Sequence, residues 1–173
     1  MSTKFKVDLS AANVEVSGKS INVKGKEGEL SLELVHPFLK IERKDNILFI
    51  EAEKDNKFQK AIAGTLAANI KNMIKGVNER YTAELELVYM HFPASLKING
   101  NKISVENFVG ERKPRDIAIP EGVKAEVKGN KIMLSGTDKY KVGQLAGTIE
   151  SKIQVKNKDR RVFKDGVFIT KKP

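Results

Sequence analysis

The residues best suited to chemistry lie at the C-terminal end of the chain, and that chemistry is charge neutralisation. From Ser151 onward stand Lys152, Lys156, Lys158, Arg160, Arg161, Lys164, Lys171 and Lys172, opposed only by Asp159 and Asp165, a net of +6. The whole chain of 173 residues carries 32 Lys and Arg against 22 Asp and Glu, a net of +10. Residues 1–80 contribute +3 and residues 81–150 only +1, so the excess is placed rather than spread. Guanidinium forks bind phosphate oxygens bidentately, and ammonium groups act as point charges along a backbone. A polyanion is the implied partner, nucleic acid before an anionic membrane surface, because no long basic amphipathic helix is visible.

Other chemistry is thin. The absence of Cys excludes disulfides, thiolate metal sites and a cysteine nucleophile. His36 and His91 stand near Pro37 and Pro93, one in each half, with no carboxylate at ligand spacing. They read as loop or edge residues rather than a metal site or an acid–base pair. Gly18-Lys19-Ser20 copies the end of a phosphate-binding P-loop, but Asn13 stands where that loop needs its first glycine. No nucleophile elbow or dinucleotide fingerprint is present. The reading is a non-enzyme with no metal, cofactor or small-molecule substrate. Residues 1–12 hold no signal-peptide block, and Ile47-Leu48-Phe49-Ile50, the longest such apolar run of the first half, is too short to span a bilayer. A soluble intracellular protein without membrane contact is expected.

The elements that carry these residues show in the hydrophobic periodicity. Val14-Glu-Val16 and Ile21-Asn-Val23 alternate around Gly18-Lys19, and the period of two continues through Leu30–Leu34 and the stretch around Leu39 and Ile41. Ile47–Ala52 follows across Asp45-Asn46. The spacing then changes: Phe58, Ile62, Leu66, Ile70, Met73 and Val77 mark one helix face, with Gly76 as its expected stop. Lys57, Lys60, Asn69, Lys71 and Lys75 fall on the opposite, solvated face. Alternation returns over Tyr81–Val88. Leu96-Lys-Ile98 and Ile103-Ser-Val105 flank Asn99-Gly100, the strongest short hairpin signal. Ile117 and Ile119 lead to Pro120, and Val123–Val127 and Ile132–Leu134 flank Gly129-Asn130. Val142, Leu145, Ala146, Ile149 and Ile153 predict a second helix, in which Gly143 and Gly147 suit close packing or approach to a partner rather than helicity.

Strands then helix, twice over, predicts duplication. Gly18…Ile21-Asn-Val23…Gly28-Glu29 has a counterpart in Gly100…Ile103-Ser-Val105…Gly110-Glu111, and Ala63-Gly64-Thr65 matches Ala146-Gly147-Thr148. The expected fold is α+β: two tandem duplicated domains, 1–80 and 81–173, each a mostly antiparallel sheet packed against one helix. In the second domain's basic tail, Arg161–Lys164 and Val167–Thr170 flank Asp165-Gly166, which predicts a hairpin that presents its arginines rigidly. With aromatic residues at 6 % and no Trp, stacking on single strands is not the expected main mode, and structured RNA read by shape and phosphate fits better.

Along nearly its whole length the chain resembles the archaeal and eukaryotic form of large-subunit ribosomal protein number six. The likeness is strongest in Asn99–Ile103, Glu106–Arg115, Val142-Gly143-Gln144 and Lys158–Gly166, with Phe168 where Tyr is usual. The resemblance implies a structural constituent of the cytoplasmic ribosome that binds large-subunit ribosomal RNA near the stalk base and the factor-binding region, beside neighbouring large-subunit proteins. Carried over by position, the expected RNA-binding residues are Lys156, Lys158, Arg160, Arg161 and Lys164, then Lys113 and Arg115, with Lys171 and Lys172 adding charge. The rival reading is a basic adaptor that docks an acidic protein.

Overall fold

The computed structural model describes residues 4–10, 12–17, 20–33, 38–44, 46–53, 56–159 and 161–173. Expectations that concern Gly18-Lys19, His36, Asp45 and Arg160 therefore lie outside the described residues. The chain divides into two compact units, Met1–Arg80 and Tyr81–Pro173.

In the first unit β1 (Lys4–Asp8), β6 (Ile47–Ala52) and β5 (Leu39–Lys44) form one antiparallel sheet, in the order β1-β6-β5. A second sheet joins β2 (Asn13–Ser17), β3 (Ser20–Gly25) and β4 (Gly28–Glu33). Helix α1 (Lys57–Asn78) is capped by Asn56, whose side chain accepts from the Phe58 N–H. The helix buries Ala63, Leu66, Ala67, Ile70, Ile74 and Val77 against Val7, Ile21, Val23, Leu48 and Ile50. Two expectations change here. Phe58 is 65 % exposed and sits outside the core, because the first turn of α1 overhangs the packed face. Gly76 is buried inside the helix, and α1 ends instead at Glu79, whose extended backbone breaks the ladder. Strand β1 alternates as well: Val7 and Leu9 are buried and Phe5 half-buried, with Lys6 and Asp8 exposed between them.

The second unit repeats this plan. Strand β7 (Tyr81–Val88) pairs with β12 (Lys131–Gly136), and β12 pairs with β11 (Val123–Lys128). Strands β8 (Ser95–Asn99), β9 (Lys102–Glu106) and β10 (Arg115–Ala118) form the three-stranded companion sheet. The β8–β9 hairpin turns at Gly100 with φ of 59°, the left-handed backbone that glycine adopts without a Cβ penalty. Helix α2 (Lys139–Lys152) is capped by Asp138, whose carboxylate accepts from the Tyr140 and Lys141 N–H groups. All five apolar positions expected on its face are buried. Gly143 lies against Pro173, 3.6 Å from a notional Cβ to the ring, whereas a Cβ on Gly147 would point into open space. Pairing and order thus match β1 with β7, β2–β4 with β8–β10, β5 with β11, β6 with β12 and α1 with α2, the architecture of two tandem α+β domains. The second unit adds one strand, β13 (Gly166–Lys171), on the outer edge of β7, which gives the order β11-β12-β7-β13.

That added strand overturns the expected tail hairpin. Residues 161–163 do not pair with 167–170. Instead the N–H groups of Val162 and Phe163 turn back to the Asp159 carbonyl, at 3.1 and 2.8 Å. Gly166 begins a strand opposite Val88 and is absent from the positive-φ residues, so Asp165-Gly166 is not a turn. A two-stranded hairpin is marginal in water, whereas adding to β7 pairs the backbone and buries Val167 in the existing core. Gly166 is closely surrounded: a Cβ there would stand 3.2 Å from the Ile153 carbonyl oxygen and 3.3 Å from the Phe168 ring, closer than ordinary van der Waals contact.

Candidate nucleic-acid interface

The basic residues expected to bind RNA are held by a loop closed at its base. Helix α2 ends at Ile153, fully buried, whose N–H donates to the Ile149 carbonyl. Gln154 bridges Gly166, and the Val167 N–H donates to the Ile153 carbonyl at 3.0 Å. Residues 155–165 therefore leave and return at one point, the geometry of an Ω-loop. Lys156, Lys158, Arg161 and Lys164 are exposed on it. Arg160 lies outside the described residues. Asp159 shapes the turn: its carboxylate accepts from the Arg161 N–H at 2.9 Å and its carbonyl from two further N–H groups.

Asp165 fastens the loop to the chain far behind it. Its carboxylate, 3 % exposed as a residue, accepts from the Met90 N–H at 2.8 Å and the His91 N–H at 3.2 Å. Its other oxygen lies 2.7 Å from His91 Nδ1. Burial pushes the Asp165 carboxyl up, but the Met90 N–H, the His91 ring and the His91 N–H outweigh it and hold the acid below the usual carboxylate range. The His91 ring stacks on Phe163 with centroids 4.7 Å apart, and Lys158 Nζ stands 4.8 Å from the same Phe163 centroid. His91 is thus a loop residue, as expected, but one that clamps the basic loop.

A third segment meets the root of the loop. Asn107 and Val109 adopt left-handed backbone, φ of 55° and 51°, and for a β-branched residue such as Val109 that costs on the order of 1–3 kcal/mol. The turn is held by buried Phe108, by the Asn107 side-chain amide donating to the Pro93 carbonyl at 2.9 Å, and by Arg115. Arg115 pairs with both carboxylate oxygens of Glu111, and its Nη1 donates to the carbonyls of Lys152 and Gln154 at 2.7 and 3.2 Å. Its guanidinium also lies 4.5 Å from the Phe108 centroid. The Lys152 carbonyl belongs to the last turn of α2, where helix acceptors are left over and a cation is favoured, and the Gln154 carbonyl lies just beyond it at the loop root. The hydrogen bonds from Arg115 hold the Glu111 carboxyl below its usual range. Arg115 is consequently spent inside the protein, where it joins the 107–115 segment to the root of the basic loop.

The remaining expected residues fall in two places. Lys113, with Arg112 beside it, is exposed on the short segment that Arg115 and Glu111 pin down. Lys171 and Lys172 lie at the far end of β13, where Lys171 is 3.7 Å from Glu84. Six residues of strand carry them roughly 17 Å from the loop root. Periodicity and charge miss His91, Asp165 and Glu111 as positioning groups and Phe168 as an exposed ring. His91 and Asp165 stand 74 positions apart, and nothing local to either names its partner.

The arrangement can neutralise phosphates. Among the described residues no group of three or more His, Cys, Asp or Glu converges as a metal site, and no helix is long and apolar enough to cross a membrane. The family model described as "Ribosomal protein L6" matches the chain twice, over residues 10–80 and 92–166. Large ribosomal subunit protein uL6 of Methanothrix thermoacetophila is 41 % identical over 160 residues, 92 % of this chain and 91 % of that protein. The proteins of the same name from Methanocella arvoryzae and Methanosarcina mazei are 40 % and 39 % identical, over 92 % of this chain and 90 % and 91 % of their own lengths. Two matches, one per structural repeat, and relatives aligned almost end to end lead to one conclusion: this chain belongs to the ribosomal protein L6 family, a family of ribosomal constituents and not of enzymes.

Proposed function

We propose that the chain is a structural constituent of the large ribosomal subunit, in the cytoplasm, that binds large-subunit ribosomal RNA through its second unit. The observation that carries this reading is the closed loop 155–165, which presents Lys156, Lys158, Arg161 and Lys164 from a base held by hydrogen bonds. Lys113 lies on the adjoining segment and extends the same surface, and Arg160 adds a further charge to the loop. Arg115 acts by fixing that geometry rather than by touching phosphate, and Lys171 and Lys172 contribute charge at a distance. The mechanism is electrostatic positioning: cations displace condensed counterions from RNA, and the two folded units set the register. A site near the stalk base and the factor-binding region, beside other large-subunit proteins, is what the family resemblance implies.

The reading is tested by sedimentation and by salt. The protein is expected to co-sediment with large subunits and to hold large-subunit RNA against excess unrelated RNA. Recovery only in the free fraction overturns the reading. Lys156→Ala with Arg161→Ala is expected to flatten the slope of log affinity against log salt by about one to two units, one for each phosphate that is no longer neutralised. An unchanged slope removes the loop from the interface.

A further inference from the structure

We infer that a cleft at the root of the basic loop takes a single unpaired nucleobase, with Phe168 as its stacking platform. This rests on the reading of the chain as an RNA-binding protein and names what one part of its surface reads. The cleft has a volume of about 470 Å³, and its walls are chiefly Val88, Val155, Phe163 and Phe168, with Lys164 and Asp165 as its charged lining residues. Sites of this size and composition, apolar with few polar groups, suit a flat organic ligand. Phosphate does not suit the interior, because the Asp165 carboxylate there is ionised and already committed to Met90 and His91. Phosphate suits Lys164 and the exposed cations of the loop it belongs to. A neutral planar base inside and its anionic backbone outside is the combination that matches both.

The aromatic rings are placed accordingly. Phe168 extends from β13 on the face that carries Glu86, away from the core, and is 40 % exposed. Its ring lies beside Gly166, where a notional Cβ would come within 3.3 Å of it, so the glycine leaves the ring room against the backbone. Phe163 stacks on the His91 ring and carries Lys158 over its face. A stacking platform mounted on a strand, beside cations mounted on a pinned loop, is the pairing used to hold unpaired nucleotides. The other candidate occupant, an apolar side chain of a partner protein, would have to enter past Lys164, on a loop where Lys156, Lys158 and Arg161 are also exposed against Asp159.

Full-length protein is bound to transcripts that tile large-subunit ribosomal RNA, irradiated with ultraviolet light, and the adducts are mapped to peptide and nucleotide. An adduct between the 165–171 segment and a nucleotide unpaired in the RNA secondary structure is the expected result. Phe168→Ala is expected to weaken binding roughly fivefold to a hundredfold, the range that follows from removing one stacked base. The salt slope should not move, because a neutral ring releases no counterions. Phe168→Tyr should bind like the parent. Wild-type affinity in Phe168→Ala, or adducts confined to paired nucleotides or to the loop alone, overturns the cleft reading and leaves phosphate binding by the loop standing. If the parent protein shows no preference for large-subunit RNA, both readings fail, and that result is available before any variant is made.

Discussion

At the scale of single residues, some of the charged groups serve geometry rather than the surface. Asp165 holds three donors from a segment 74 or 75 positions earlier, and it is the one buried acid among the described residues. Removing it takes the acceptor from the Met90 N–H, the His91 N–H and the His91 ring, and a hydrogen bond to a charged group contributes about 1.5–3 kcal/mol. Asp165→Ala is therefore expected to lower the stability of the second unit by on the order of 3 kcal/mol, read from the urea midpoint at neutral pH. The acid dependence has a definite sign. The folded acid sits below its ordinary value, so its contribution is fully present above the unfolded value of about 3.9 and is lost as pH falls through the folded one. Parent and Asp165→Ala stabilities should converge as pH is lowered below about 4, and a difference that survives there would show that the carboxylate charge is not what the loop uses. Arg115 makes the same point from the basic side. Its charge and its place in Glu106–Arg115 suggest an RNA-binding role, yet its fork is engaged by Glu111 and by the carbonyls of Lys152 and Gln154.

At the scale of elements, the basic loop is an attachment to a finished fold. Its two ends are held together at Gln154 and Gly166, and Val167 anchors β13 in the core. The exposed edge of β13 has its own remedy, since the Ile169 N–H donates to Glu150 at 3.2 Å. Replacing residues 156–163 by a short Gly-Ser linker should therefore leave far-ultraviolet circular dichroism and the protection of β7 and β12 amides unchanged, while RNA binding drops to the level of nonspecific association. Loop closure itself changes stability by little, because its entropy varies only logarithmically with length. Loss of amide protection across β7 would show that the loop is part of the folding core. The Asp165-Gly166 pair shows why such an element is hard to read locally. Aspartate before glycine suits a two-residue turn. The same pair suits a buried acid followed by a strand that needs room for a carbonyl, and only the position of β7 and of Ile153 decides between them.

At the scale of the molecule, the chain forms two units with separate cores. One core gathers Val7, Ile21, Ile50, Ile70 and their neighbours, the other Leu85, Ile103, Ile132, Ile149 and theirs, and each is lined by residues of its own unit. A fragment of residues 81–173 is expected to fold alone and to retain most of the RNA affinity and the salt slope of the full chain, whereas residues 1–80 alone should bind weakly. Calorimetry of the two fragments with a filter-binding assay on each checks this, and an unfolded 81–173 fragment would count against independent units. The repeated plan was legible in the sequence: matched glycines, matched Ala-Gly-Thr triplets and two successions of alternating strands followed by a helix. So were the buried face of α2, the Asn99-Gly100 hairpin and the location of the excess charge. Each of these is written in local periodicity, turn chemistry or composition, which depend on neighbours a few residues apart. What only the tertiary structure decided is which cations face outward and what holds them. Pairing β13 to β7, fastening Asp165 to His91 and spending Arg115 on the end of α2 all join positions distant in sequence. Their energies come from hydrogen bonds and buried area that exist only after the sheet has assembled. No local pattern encodes a partner 74 residues away.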